Sequence, residues 1–325
     1  MSRGDHIRRT GRLKPILGLL QKRPSVFLQA VGLQVFAPCT RLVDSLWRGR
    51  GKTDLSPQAV PCAFLVCPPR SGGTLIYQAL VRTLPSIYIS NFHAFFPRAG
   101  SALLRRSLSR ETDSAKPFVN FYGYSPGLSG VYEGNDFLGW LHNDVNTAAG
   151  EEGLRHEFTA LLEMLSPLSG ECVVFKNARS FQDLKRLHRA VPEIVFVRIR
   201  RNLEDVVQSV VKAAREVGSF HPVPPKLRQM STDDPIAFAI AQIEEIDRQL
   251  DRQFETMAPA SRYEIRYEDF CKRPRACIRE LAVDYLKLPA EAIRPCAALD
   301  ALRVSTRKKV SREEAESIRQ LLQAI

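Results

Sequence analysis

Between a short apolar run, Ala63-Phe-Leu-Val-Cys67, and a segment with helical spacing lies Pro68-Pro-Arg-Ser-Gly-Gly-Thr74. Gly72 and Gly73 let the backbone approach an anion closely, and a helix starting there turns N–H groups toward it. Arg70 adds a fixed positive charge, while Ser71 and Thr74 add hydroxyl donors. The chemistry on offer is the cradling of a phosphate or a similar oxyanion. A Walker A loop would need Gly, four residues, then Gly-Lys-Ser/Thr. Neither that lysine nor the magnesium-binding hydroxyl after it occurs in register, so nucleotide hydrolysis is not the natural expectation. The plainer alternative is a glycine-rich turn that merely starts a helix.

Pro69-Arg-Ser-Gly-Gly-Thr74 resembles the 5′-phosphosulfate loop of sulfotransferases that use 3′-phosphoadenosine 5′-phosphosulfate (PAPS). In that family the loop runs Pro, Lys or Arg, Ser-Gly-Thr-Thr, and here Gly73 replaces the first Thr. The resemblance places Arg70 on the bridging oxygen and departing phosphate, a role for permanent charge and not for acid catalysis. A second match lies in Phe196-Val-Arg-Ile-Arg-Arg-Asn-Leu-Glu-Asp-Val-Val-Gln-Ser209. The family has a strand ending in Arg and a Ser eight positions later, a spacing met by Arg201 and Ser209. That pair would grip the 3′-phosphate, although Arg198 and Arg200 leave the register open, and Asn202, Leu203 and Glu204 depart from the usual Asp-Pro-Arg. Lys176 in Phe175-Lys-Asn177 falls where many members carry a lysine reaching the reaction centre. Tyr267-Glu-Asp-Phe270 resembles a Tyr-Glu-Asp-Leu segment expected to be structural. The order of segments most resembles bacterial carbohydrate-type sulfotransferases.

Transfer to a hydroxyl also needs a group to take the acceptor's proton. Many carbohydrate members place a Glu shortly after the first helix, but the sequence there is Ser90-Asn-Phe-His-Ala94. His93 is one option, because histidine titrates near neutrality; a histidine filling a polar–apolar boundary is the bland alternative. Glu133, in a loop rich in glycine and tyrosine from Tyr122 to Asp136, is the rival, with Asp136 a further option. Segments 105–117 and 220–225 are candidate lids over the acceptor.

These groups need a frame. Four apolar, β-rich runs read as buried strands of a parallel sheet: 63–67, 172–175, 194–199 and 263–267. Helical spacing separates them at 181–190, 203–217 and 235–257, and Ser311 with Glu314 forms a capping box for a last helix. The fold class expected is α/β, a P-loop-type parallel sheet flanked by helices and sulfotransferase-like, spanning residues 56–325. Residues 1–55 are expected to form a basic helical extension, with 48–53 as the linker.

The 325 residues carry 47 Lys and Arg against 35 Asp and Glu, a net charge of +12, which either serves solubility or points to something anionic that is bound, a nucleotide, a sulfated or phosphorylated product, or a membrane surface. Cationic residues are not interleaved with aromatics, so nucleic acid is not expected as a partner. Seven scattered cysteines without a CxxC pair suit a reducing compartment and no metal site. No sustained apolar core or cleavage site follows Arg3 to Lys14, so a signal peptide is not expected and a cytoplasmic protein is. Residues 26–37 are too short to span a bilayer; they either pack on the domain or lie on a membrane, a peripheral contact within residues 1–50. The expected partners are thus a nucleotide donor and a hydroxyl acceptor, on a carbohydrate or a lipid-linked molecule. The competing classes are a P-loop NTPase or kinase, and a non-catalytic membrane-surface protein with a vestigial nucleotide fold.

Overall fold

The computed structural model describes residues 60–108, 115–120, 123, 125–133, 138, 150–177, 180–305 and 309–324. The expected N-terminal extension, Asp136 and much of the 105–117 segment lie outside them. In chain order the elements are β1 (Cys62–Val66), α1 (Gly73–Thr83), β2 (Ser86–Tyr88), α2 (Asn91–Phe95), α3 (Gly100–Leu108), α4 (Glu151–Leu165), β3 (Cys172–Lys176), α5 (Leu184–Ala190), β4 (Ile194–Arg200), α6 (Leu203–Val217), α7 (Pro235–Phe254), β5 (Arg262–Arg266), α8 (Tyr267–Lys272), α9 (Pro274–Glu280) and α10 (Arg312–Gln323).

The five strands form one parallel sheet in the order β2-β3-β1-β4-β5, flanked by helices. All four runs read as strands are strands. The fifth, β2, has three residues, too few to show a pattern.

Central β1 is buried along its whole length, which its unbroken apolar sequence requires. Phe64 packs against Phe175 of β3 and Phe196 of β4, with ring centroids 4.6 and 5.9 Å apart. This aromatic row locks the two neighbours of β1 in register. Leu65 stands beside Lys176, and Val66 beside Arg198. The chemistry-bearing residues at the carboxyl ends of three adjacent strands therefore meet at one edge, where open α/β sheets bind ligands.

Valines at 206, 207, 210 and 211 give α6 one apolar stripe, and it packs with α7 and α10 in a second core. Asn202 caps α6 by accepting from the Asp205 N–H at 3.1 Å. The box at Ser311 and Glu314 caps α10 as its sequence predicts. The six described cysteines are all buried and unbridged.

Candidate active site

The loop after β1 turns through two left-handed residues, Arg70 at φ 67° and Gly72 at φ 90°. A non-glycine residue in that region is held there at a cost of order 1–3 kcal/mol, which other contacts must offset. Two such contacts are visible. Arg70 Nε donates to Ser209 Oγ at 3.1 Å, and the Arg70 carbonyl accepts from an Arg201 terminal nitrogen at 3.3 Å. Gly72 has a second constraint, because a Cβ there would lie 2.3 Å from the Tyr267 ring. Ser71 is buried and Thr74 half-buried on the first turn of α1. The N–H groups of that turn have no carbonyl one turn earlier to bond.

The fold therefore joins the two expected anion anchors, which stand 131 residues apart in the chain. It also separates the three neighbouring arginines. Arg198 is fully buried, bonded to Asp251 at 2.6 Å and Asp247 at 3.0 Å beneath α7. Arg200 pairs with Glu264 and Asp251. Arg201 alone faces the loop, its guanidinium 4.3 Å from the centroid of the Tyr267 ring. Its Nε and second terminal nitrogen are buried and have no hydrogen-bond partner among the described residues. Such orphaned donors are costly, and an oxyanion placed before them would satisfy both.

Two contributors escape the sequence analysis. Lys309 donates to the Asp205 carbonyl at 3.2 Å. Burial, then the charges of Arg201 and Arg70, bring its pKa down to about 8. The signal in the sequence is the basic run at 307–309, uninformative until the chain returns Lys309 to α6. Tyr267, expected to be structural, is the other: its ring packs against Gly72 and the Arg201 guanidinium. Glu268 of the same segment accepts the Asn202 N–H at 2.9 Å and ties the strand end to α8.

On the opposite side of the loop Lys176, buried at the end of β3, makes an ion pair with Glu133. Burial alone would lower the lysine's pKa, but the adjacent carboxylate overrides it and the pKa is raised. Asn177 Nδ2 donates to the Glu133 carbonyl at 3.2 Å. The loop leading to Glu133 is fastened to the core: Gln78 Nε2 donates to Ser125 Oγ at 2.9 Å, and Asn91 Nδ2 to the Ser125 and Gly127 carbonyls. Glu133 thus stands at the strand ends by construction.

His93 does not join this group. It is fully buried, and its Nδ1 accepts the Ser90 N–H at 3.1 Å while Nε2 lies 3.0 Å from Ser101 Oγ. Accepting at Nδ1 puts the proton on Nε2, which donates to Ser101; that hydroxyl in turn donates to the Met164 carbonyl at 3.3 Å. Burial and the Arg105 charge pull its pKa down to about 3. Nδ1 caps α2 and Nε2 is bonded to Ser101 of α3, so the structure leaves His93 no free nitrogen for an acceptor's proton.

Of the two segments read as lids, 220–225 is pinned by Gln242, whose amide donates to the Pro222 carbonyl. Among the described residues no three His, Cys, Asp or Glu side chains gather as metal ligands. No described helix is long and apolar enough to cross a membrane.

Comparison with known proteins adds a family to this geometry. Residues 61–292 match the profile described as the Sulfotransferase family. No curated protein matches the sequence. Among solved structures, the chain is similar to sulfotransferase STF1 from Mycobacterium tuberculosis H37Rv, at 12% identity and a TM-score of 0.52, covering 100% of this chain and 94% of that one. It is also similar to sulfotransferase STF9 from Mycobacterium avium, at 12% identity and a TM-score of 0.50, covering 82% and 77%. At such identities the likeness is one of fold.

Proposed function

The chain belongs to the sulfotransferase family, and from that premise we propose that it moves a sulfuryl group from PAPS to an acceptor hydroxyl by in-line displacement. The observation that carries the donor assignment is the pair of anion sites at one sheet edge. One is the loop at 70–74; the other is Arg201, Ser209 and Lys309, with two buried guanidinium donors lacking partners. A donor phosphorylated at both the 5′ and 3′ ends fits two such sites, whereas AMP or ADP would leave the second unfilled.

In this reading the acceptor oxygen attacks sulfur as the bond from sulfur to the bridging oxygen breaks, and that electron pair stays on the 5′-phosphate. Arg70 and the N–H groups of α1 balance the charge that grows there. Lys176 steadies the sulfuryl oxygens. Glu133, the one carboxylate of the acceptor loop that the described fold brings to Lys176, takes the acceptor's proton. The acceptor proposed is a hydroxyl of a carbohydrate or glycoconjugate, supported by the order of the sequence segments.

A thermal-shift panel tests the donor. At a hundred times Kd, 3′,5′-adenosine bisphosphate should add about 2.7 kcal/mol of stability. AMP and ADP with Mg²⁺ should add less, and EDTA should change nothing. Equal shifts for the bisphosphate and AMP would remove the 3′-phosphate site.

Lys309 makes the binding pH-dependent. With a pKa of about 8 it is largely charged at pH 7 and largely neutral by pH 9. A bound phosphate favours the charged form, so binding above pH 8 must take up a proton. Bisphosphate affinity should fall as pH rises, approaching tenfold per unit above pH 8, a slope that linkage sets. Titration calorimetry from pH 7 to 9.5 reads this, and Lys309→Met should flatten the profile. An unchanged slope in that variant would assign the proton elsewhere.

We also propose a cytoplasmic protein whose residues 1–50 touch an anionic membrane surface, at about 1 kcal/mol per Lys or Arg near it. Removing residues 1–51 should abolish co-sedimentation with phosphatidylserine vesicles and leave bisphosphate binding intact. A truncated protein that no longer binds the bisphosphate would instead make the segment part of the core.

A further inference from the structure

Gly73 is a glycine that its backbone does not demand. Unlike Gly72 it is not in the left-handed region, and it occupies the first position of α1. In such a place alanine is usually better by several tenths of a kcal/mol up to about 1 kcal/mol. The reason for glycine lies in the neighbours. A Cβ at residue 73 would fall 2.6 Å from Lys176 Cε, 2.7 Å from Cys67 Sγ and 3.4 Å from Lys176 Cδ. Real Cβ atoms do not approach so closely, so something would have to move. Cys67 is a short side chain on a buried strand end, with few places to go. Lys176 is long, and its far end is the part in the way.

That far end is where the chemistry lies. The Lys176 stem crosses the first residue of α1 to bring its ammonium to Glu133. Arg70 lies near enough for its charge to act on the same ammonium. We propose that Gly73 is a positioning residue: its missing side chain is the passage through which Lys176 reaches the anion loop, so that the ammonium contacts the sulfuryl oxygens of the donor. The second half of this statement rests on the PAPS reading; the first rests on packing alone.

A double-mutant cycle separates the two halves. The bisphosphate lacks the sulfuryl group, so the ratio of its Kd to that of PAPS isolates contacts made to that group. Lys176→Ala should lower this ratio about tenfold, the size of one charge-assisted hydrogen bond. Gly73→Ala should lower it by a similar factor in the otherwise native protein, and by less than about twofold when Lys176 is already Ala. Bisphosphate affinity is the reference measured in every variant, so a general collapse of the loop, which weakens binding of both ligands alike, would leave the ratio unchanged. The same loss from Gly73→Ala in both backgrounds, or no loss in the native one, overturns the proposal.

Should Gly73→Ala melt too early to measure, the melting temperature becomes the readout. Adding Lys176→Ala must then recover part of it, because the stem is gone while Cys67 Sγ stays in the way; no recovery at all also overturns the proposal. A native protein that binds neither ligand would refute the donor reading, and the melting-temperature cycle would still decide whether Gly73 makes room for Lys176.

Discussion

Arg70→Ala is expected to lower the turnover of labelled PAPS in the presence of a hydroxyl acceptor by about a hundredfold or more, the usual cost of removing one preorganised charge-stabilising group. Arg70 is placed for this by more than its type. Its backbone is held in the left-handed region, its Nε is bonded to Ser209, and its carbonyl is bonded to Arg201. A guanidinium so restrained does not reorganise when charge moves onto the departing phosphate, and an interaction that strengthens as the bond breaks acts mainly on the transition state. The loss should therefore fall on kcat, with a smaller change in bisphosphate affinity. Part of any binding loss will come through Ser209, whose hydroxyl loses its bond from Arg70 Nε. Arg70→Lys should recover little, since an ammonium lacks the Nε–H that meets Ser209. Near-native kcat with a raised KM would confine Arg70 to ground-state binding.

Arg201→Ala carries the second largest expectation: about a hundredfold weaker binding of the bisphosphate, with AMP affinity unchanged within about threefold. Two charge-assisted hydrogen bonds to a phosphate are at stake, each worth roughly 1.5–3 kcal/mol. The melting temperature of the unliganded protein should stay level or rise. In that state the guanidinium keeps two buried N–H groups unpaired beside Tyr267, and removing them removes a cost. Loss of bisphosphate binding together with a gain in stability would be hard to produce by misfolding. Parallel loss of AMP and bisphosphate binding would show that Arg201 acts on the loop and not on a 3′-phosphate.

The helical and strand frame was legible because burial on both faces forces unbroken apolar runs, as in 62–66 and 194–199. Helix α6 runs over 203–217 as its valine spacing predicts, and the Ser311 box starts α10. The loop after β1 was legible for a related reason: a glycine in the left-handed region at a strand–helix junction, as at Gly72, is demanded by local geometry, which is written in local sequence. Strand β2 was not, since Ser86–Tyr88 is held by its neighbour β3 and not by any pattern of its own.

What local sequence determined, then, is the sheet, its helices and the anion loop at the end of β1. Tertiary structure decided everything that depends on which residues meet. Three arginines stand within four positions of β4 and its end, yet only the packing of Asp247, Asp251 and Glu264 pairs two of them and leaves Arg201 facing the loop after β1. His93 and Glu133 were rivals on type alone; burial with two hydroxyl neighbours closed one, and a partner 43 residues away engaged the other. Lys309 became a member of the site only when the chain's return brought it to α6. Gly73, a departure from the resembled motif with no visible cause in the sequence, has its cause in a lysine that reaches it from β3. Hydrophobic periodicity fixes elements because each residue's burial depends on its neighbours in the chain; charge partners, being set by loop closure over many tens of residues, leave no such local trace.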